Sequence, residues 1–225
     1  MEHRLISVGA EIHLMRMMQL IGLALVALSF LTAAYFYPQV PDRMASHWNL
    51  QGQADGYTNK DFGVFAIPVV SLALFVLLVL LPKLDPLKKN YAAFQKEYDT
   101  FVTMLVGFFY YLYLLSIAYN VGYAFDFSQA LSPGFGGLFF YIGVVLEKAR
   151  QNWFVGIRTP WTLSNEKVWD RTHELAGKVF KTAGVLAFLG VFVPGIGMLL
   201  AVVVAVAGAL GTVVYSYLEF KKETE

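Results

Sequence analysis

Apolar residues in this chain are gathered into long blocks without charge, separated by shorter polar stretches. A helix needs about 20 apolar residues to cross the hydrocarbon core of a bilayer, with every backbone polar group paired inside the span. Six blocks meet or approach that length. The first runs from about Met17 to Tyr37 and the second from Phe62 to Leu81, where Pro82 is expected to stop it. The third runs from Phe101 to about Tyr123. The fourth lies between Asp126 and Glu147, with a break expected near its start at Ser132-Pro133-Gly134 and Gly136-Gly137. From Thr182 to Leu218 no charge occurs, too long for one comfortable crossing. Pro194-Gly195-Ile196-Gly197 divides it by a tight turn into a short fifth span, starting near Val179, and a sixth.

Composition agrees with that pattern. Of the 225 residues, 57% are hydrophobic and only 15% charged, where a soluble domain carries roughly a quarter charged residues. This excludes a disordered, collagen-like or ordinary soluble protein. A formal net charge of +1 leaves no basic excess for phosphates, so no direct nucleic-acid partner is expected. With no cysteine there is no disulfide, thiol nucleophile or thiolate metal site.

The cations are unevenly placed. One alternate set of connecting segments holds Arg4, Arg16, Lys83, Lys88, Lys89, Lys96, Lys148, Arg150, Arg158, Lys167, Arg171, Lys178, Lys181, Lys221 and Lys222; the other holds only Arg43 and Lys60. The positive-inside rule then puts both termini in the cytoplasm. The expected fold is all-α: a polytopic, multi-pass protein of the cell membrane with six transmembrane helices. Its segments would be a cytoplasmic lead (1–16), a first membrane module (17–123) with an outer loop (38–61) and an inner amphipathic helix (85–100), and a second module (124–225) with a cytoplasmic loop (147–181). The first span lacks a clean cleavage site before Pro38 and is expected to be retained.

The outer loop offers Pro41, Asp42, His47, Asn49, Gly52, Asp55 and Gly56 as candidate binding residues, with Asp55-Gly56 the strongest turn signal. Trp48 and Tyr57 suit a headgroup-level anchor. The loop reads as a structural turn, as a ligand-facing cap, or as a metal site of His47 with Asp42 and Asp55. One histidine and two carboxylates without helical spacing favour the structural reading. On the inner side, Asp85-Pro86 opens a helix in which Leu87, Tyr91, Phe94 and Tyr98 share one face.

The loop between spans four and five is the most unusual stretch. Two tryptophans, an arginine and a histidine fall close together, followed by a helix with Ser164 as candidate cap. On that helix Trp169, Thr172, His173, Ala176 and Phe180 share a face, and Glu174 and Lys178 form an i,i+4 pair. Asn152, Trp153, Gly156, Arg158, Thr159, Pro160, Trp161, Trp169 and His173 are the candidate binding residues here. Gly156 permits an unusual turn, Arg158 offers a planar donor fork, and Thr159-Pro160 restricts the chain before Trp161. Two readings fit: a loop folded under the bundle with its polar groups satisfied internally, or an ordered docking surface or site for an anionic group.

The run Asn152-Trp153-Phe154-Val155-Gly156-Ile157-Arg158-Thr159-Pro160-Trp161-Thr162-Leu163, then Val168-Trp169 and Thr172-His173-Glu174-Leu175-Ala176-Gly177-Lys178, resembles the signature of the SdpI family. The likeness extends through the last two spans to Tyr215-Ser216-Tyr217. Pro41-Asp42-Arg43 with His47-Trp48-Asn49, Gly52 and Asp55-Gly56 resembles the uncharacterised membrane module that often precedes it. The resemblance implies an integral membrane protein without catalysis, giving immunity to a secreted, membrane-active peptide toxin. It further implies partners: membrane lipid, the peptide toxin, and a cytoplasmic transcriptional repressor captured by the inner face.

Spans one, two, three, five and six carry no acidic, basic or histidine side chain in their interiors, which argues against an ion-coupled transporter. Their polar groups, Asn120 the most conspicuous, suit interhelical hydrogen bonds. No hydrolase, metalloprotease or P-loop pattern occurs, and His47 and His173 lie on opposite membrane faces in this topology. The expectation is therefore a binding protein, not an enzyme, with no cofactor and no metal. The alternatives are a small transporter or permeability factor for an amphipathic solute, and an outer-loop metal binder.

Overall fold

The computed structural model describes the backbone of residues 2–193 and 196–225, with side chains from residue 16 onward. It is helical apart from one hairpin. Its elements are α1 (Glu2–Phe36), β1 (Arg43–Trp48), β2 (Ala54–Asn59), α2 (Lys60–Leu84), a 3₁₀ segment (Lys88–Ala93), α3 (Gln95–Asn120), α4 (Phe127–Lys148), α5 (Pro160–Ser164), α6 (Glu166–Leu189) and α7 (Ile196–Thr224). Among the described residues five helical stretches are long and apolar enough to cross a membrane: Arg16–Phe36, Lys60–Leu84, Gln95–Asn120, Phe127–Lys148 and Ile196–Thr224. The helix α6 is not one of them, because its first two-thirds carry Glu166, Lys167, Asp170, Arg171, Glu174, Lys178 and Lys181. Of the turn expected at Pro194-Gly195-Ile196-Gly197, Pro194 and Gly195 lie outside the described residues.

Several sequence expectations are corrected. The chain is mostly helical, as expected, but residues 38–61 are not all loop: they contain an antiparallel pair, β1–β2. Asp55-Gly56 lies within β2, not in a turn. The turn falls instead between Asn49 and Gln53. Asn49 Oδ1 accepts the N–H groups of Gln51 and Gln53, both at 3.0 Å, and Gly52 takes φ +70°. Gly56 serves close packing, since a Cβ there would meet His47 Cβ at 2.8 Å.

The second span is not stopped by Pro82, because α2 runs on to Leu84. Proline lacks the N–H that would bond the carbonyl four residues back. The Tyr98 hydroxyl donates to that carbonyl, Leu78 O, at 2.7 Å. Nor is α4 broken at Pro133 or the glycines; it is continuous from Phe127. The expected amphipathic helix 85–100 does not form as one piece: a 3₁₀ segment ends at Ala93 and α3 begins at Gln95. Tyr91, Phe94 and Tyr98 are all buried, so the aromatic face is core rather than surface.

The chain divides into two compact units. The first comprises Met1–His47, Ala54–Leu80 and Gln95–Ala124. Its core is Ala33, Val40, Met44, Val64, Tyr113 and Ile117. Gly63 admits the Met44 side chain, whose sulfur would lie 2.8 Å from a Cβ. Thr103 Oγ1 donates to Met18 O at 2.8 Å, and Thr32 and Tyr110 hydroxyls meet at 3.2 Å, pinning α1 on α3. Asn120 grips the hairpin: Oδ1 accepts from Ala45 N at 2.7 Å while Nδ2 donates to Ala45 O at 3.0 Å.

The second unit comprises Trp48–Gln53, Leu81–Phe94 and Phe125–Glu225. Trp48 stacks flat on Phe127, centroids 3.7 Å apart. Helices α4 and α6 meet along glycines. A Cβ on Gly143 would lie 2.6 Å from Gly177 O, one on Gly177 2.9 Å from Gly143 O, and one on Gly184 2.5 Å from Phe140 N. Small residues of this kind let backbones approach and dispersion contacts accumulate where no hydrophobic drive exists between helices. Lys181 Nζ to Glu147, 2.5 Å, ties one end of the seam. Arg171 joins α6 to α7 through Glu219 at 2.8 Å and Glu223 at 2.9 Å.

Candidate functional site

The loop from Ala149 to Thr159 and the start of α6 build one ordered layer within the second unit. Helix α4 ends at Lys148. The indole N–H of fully buried Trp169 donates to Ala149 O, 2.8 Å, satisfying a carbonyl that the helix end leaves free. One turn on, His173 lies against Trp169, ring centres 3.9 Å apart and 18° off parallel. Its Nδ1 donates to Trp169 O at 2.8 Å and its Nε2 accepts from Ile157 N–H at 2.9 Å. Both ring nitrogens are therefore used. Burial pushes the imidazole down to about 4, opposed by the Trp169 carbonyl and Asp170, so the ring is neutral at neutral pH. Gly156, at φ +120°, passes directly over it; a Cβ there would collide with His173 Nε2.

Asn152 organises the turn. Its Oδ1 accepts from Phe154 N at 2.9 Å and Val155 N at 2.6 Å. Its Nδ2 donates to Arg150 O and Val155 O at 2.8 and 3.0 Å. The side chain is fully buried, and the Tyr91 hydroxyl also reaches Oδ1, at 3.4 Å. A buried amide this fully bonded fixes a single backbone course. Thr159 caps α5 in a capping box with Thr162, with Pro160 in the first turn, and its hydroxyl meets Ser216 Oγ at 3.0 Å.

The nine residues expected here do not make one cluster. Trp169, His173, Asn152 and Thr159 are buried, with Gly156 half-buried over the His173 ring. Trp153 is exposed, and Arg158 Nη1 donates to its carbonyl at 2.7 Å. Trp161 packs elsewhere, 5.1 Å from the Tyr217 ring. The helix cap is also corrected: Asn165, not Ser164, accepts from Lys167 N and Val168 N, because Ser164 closes α5. The expected face of α6 forms, with Trp169, Thr172, His173 and Ala176 buried and Phe180 half-buried, and Lys178 bonds Glu174 at 2.7 Å. Beside the layer lies a polar cleft of about 430 Å³ lined by Glu147, Lys148, Arg150, Asp170, His173 and Glu174 among others.

Of the loop residues expected on the other side, Pro41, Asp42, His47, Asp55 and Gly56 belong to the first unit, Asn49 and Gly52 to the second. His47 Nδ1 bonds Asp55 at 2.5 Å, both exposed. Asp42 contributes its backbone carbonyl, to Lys60 N at 2.9 Å. Among the described residues no three His, Asp or Glu side chains converge as metal ligands. Sequence reasoning missed Asp85, whose carboxylate holds Leu87 N and Trp153 N at 2.7 and 2.9 Å. It also missed Gln151, whose amide donates to Thr162 O and Leu163 O. The place of Asp85 before Pro86 signals a local cap and nothing of its bond to Trp153.

Residues 148–216 match the SdpI/YfhL protein family. The resemblance read from the Asn152-to-Lys178 motif is thereby borne out. Residues 24–72 match a domain of unknown function, DUF1648. The chain is similar to Immunity protein SdpI of Bacillus subtilis (strain 168), 28% identical over 204 residues, which is 90% of this chain and 96% of that protein. No solved structure matches it. This SdpI-like chain is a multi-pass membrane protein, with SdpI-like segments and five apolar helices of crossing length.

Proposed function

We propose that the chain protects a cell against a secreted, membrane-active peptide toxin, by binding rather than by catalysis. The supporting observation is its similarity, along nearly the whole of both chains, to a protein named for immunity. In this reading it crosses the membrane six times, the distal half of α6 from Val179 supplying the fifth crossing, with both termini cytoplasmic. The charge bias favours that topology. The modules 17–123 and 124–225 then place the His47 loop outside, to intercept the peptide, and the 147–181 layer inside. Arg158, Trp153 and the His173–Trp169 stack are the residues proposed to support the bundle or to dock a cytoplasmic repressor, so that capture outside is signalled inward.

The test is survival and membrane potential of a toxin-sensitive cell challenged with the sporulation-delaying peptide, with and without this protein. The wild type is expected to preserve both; Arg158→Ala and His173→Ala are expected to lose protection while still reaching the membrane. Equal protection by both variants removes the inner layer from the mechanism. No protection by the wild type removes the immunity reading.

One observation favours a second reading, a small transporter. Asp99, on α3, is buried; Gln19 Nε2 reaches its Oδ1 at 3.3 Å, and Oδ2 has no partner among the described residues. Asp99 lies in the polar start of α3, just ahead of the uncharged stretch from Phe101, and burying a carboxyl there costs desolvation. Asp99→Asn abolishing solute flux without altering toxin survival would support that reading.

A further inference from the structure

Two segments of the second unit, 83–91 and 150–158, are zipped together side chain to backbone. Asp85 accepts Trp153 N–H at 2.9 Å, Asn90 Nδ2 donates to Gln151 O at 2.7 Å, and Tyr91 reaches Asn152. Residue 153 is clamped at both ends, since Arg158 holds its carbonyl at 2.7 Å. The backbone is rigid, yet the side chains it presents are left in the open: Trp153 is 49% exposed, Phe154 39% and Leu84 67%. Large apolar groups held outward by a fixed loop gain nothing from water.

The charges around them are mostly cationic. The two segments and the end of α4 carry Lys83, Lys88, Lys89, Lys148, Arg150 and Arg158. Of the two acids there, Asp85 is buried and spent on backbone N–H groups and Glu147 is paired with Lys181 on α6. Only Arg150 has a carboxylate partner among the described residues, Asp170 at 3.2 Å. Arg158 uses Nη1 on a carbonyl, leaving the rest of its donor fork open. Leu84 is, in addition, the last residue of an apolar helix of crossing length. The patch therefore begins where a span ends.

Apolar rings beside unpaired cations at the end of a span match the headgroup layer of a bilayer, where tryptophan is enriched and cations meet phosphate. We infer that Leu84, Trp153 and Phe154 sit in that layer and that Lys88, Lys89 and Arg158 hold the phosphates of an anionic phospholipid. The site does not depend on the immunity reading. It gives the loop motif a second role, anchoring the 150–158 turn to the membrane surface at a fixed depth.

The full-length protein in bilayer discs of phosphatidylcholine, with and without brominated phosphatidylglycerol, tests this. Brominated phosphatidylglycerol quenches tryptophan fluorescence in the wild type, and Trp153→Phe removes that quenched component. Lys88→Gln, Lys89→Gln and Arg158→Gln each weaken retention of the anionic lipid by about fivefold. Arg158→Lys keeps most of it, which separates charge loss from misfolding. Inorganic phosphate does not displace the lipid. The inference is overturned if the Gln variants retain the lipid as the wild type does, or if Trp153→Phe leaves the quenching unchanged. It is also overturned if lipid leaves Trp153 unquenched while an acidic peptide quenches it, the sign of a protein-docking surface.

Discussion

The imidazole of His173 is held between two backbone groups while lying 3.9 Å above the Trp169 ring, one nitrogen donating to Trp169 O and the other accepting from Ile157 N–H. The stack thus joins α6 to the glycine turn at Gly156. Its neutral state is part of the joint, because a proton on Nε2 would set two donors face to face.

Acid is expected to loosen this joint. The folded-state value is about 4 against 6.5 for the free group, so between these values the unfolded chain binds a proton that the folded chain refuses. Stability therefore falls as pH drops from 6.5 towards 4, by about 2 kcal/mol at pH ~5. Above 6.5 the group contributes no pH dependence. Thermal unfolding in detergent across this range checks it, and His173→Gln should flatten the slope over that window.

Asn120 stands in for a neighbouring strand. Asn120→Leu strips Ala45 of both partners and is expected to cost about 1–3 kcal/mol. Amide exchange at Ala45 should rise while that of α4 and α6 stays unchanged.

The α4–α6 seam has no room for side chains. Gly177→Val places carbon against Gly143 O and the Glu147 side chain. The outcome expected is loss of folded protein or a fall in stability of about 1–3 kcal/mol, read from yield and thermal midpoint. At open Gly211 a Cβ meets nothing, so Gly211→Ala should be neutral or slightly stabilising.

Tyr98→Phe leaves Leu78 O without its donor, at about 1 kcal/mol. Pro82→Ala restores a backbone N–H to that carbonyl. In a double-mutant cycle the cost of Tyr98→Phe should then shrink towards zero; an unchanged cost means the hydroxyl contributes only through packing.

Much of the fold is legible in residue order. Uncharged blocks mark α1 to α4 and α7, since length and apolarity alone decide whether a helix can cross a bilayer. The α6 face of Trp169, Thr172, His173 and Ala176 follows from 3.6-residue spacing. Proline and glycine were poorer guides. Pro82 and Pro133 sit inside helices, because a missing N–H can be tolerated when another donor or a short first segment takes up the loss. Gly56 and Gly177 mark close approach, not turns, a distinction invisible without the neighbour that fills the space.

What the sequence by itself determined is a membrane protein of several apolar helices with a tryptophan-rich, SdpI-like loop, because composition and spacing act locally. The tertiary structure alone decided which of that loop's side chains are hidden and which are offered. Asp85 lies 68 residues before the peptide it holds, and Tyr91 is 61 residues from Asn152. Trp153 is exposed and Trp169 buried although both are tryptophans of one motif. Burial and hydrogen-bond partners depend on segments far apart in the chain, and no local pattern encodes them.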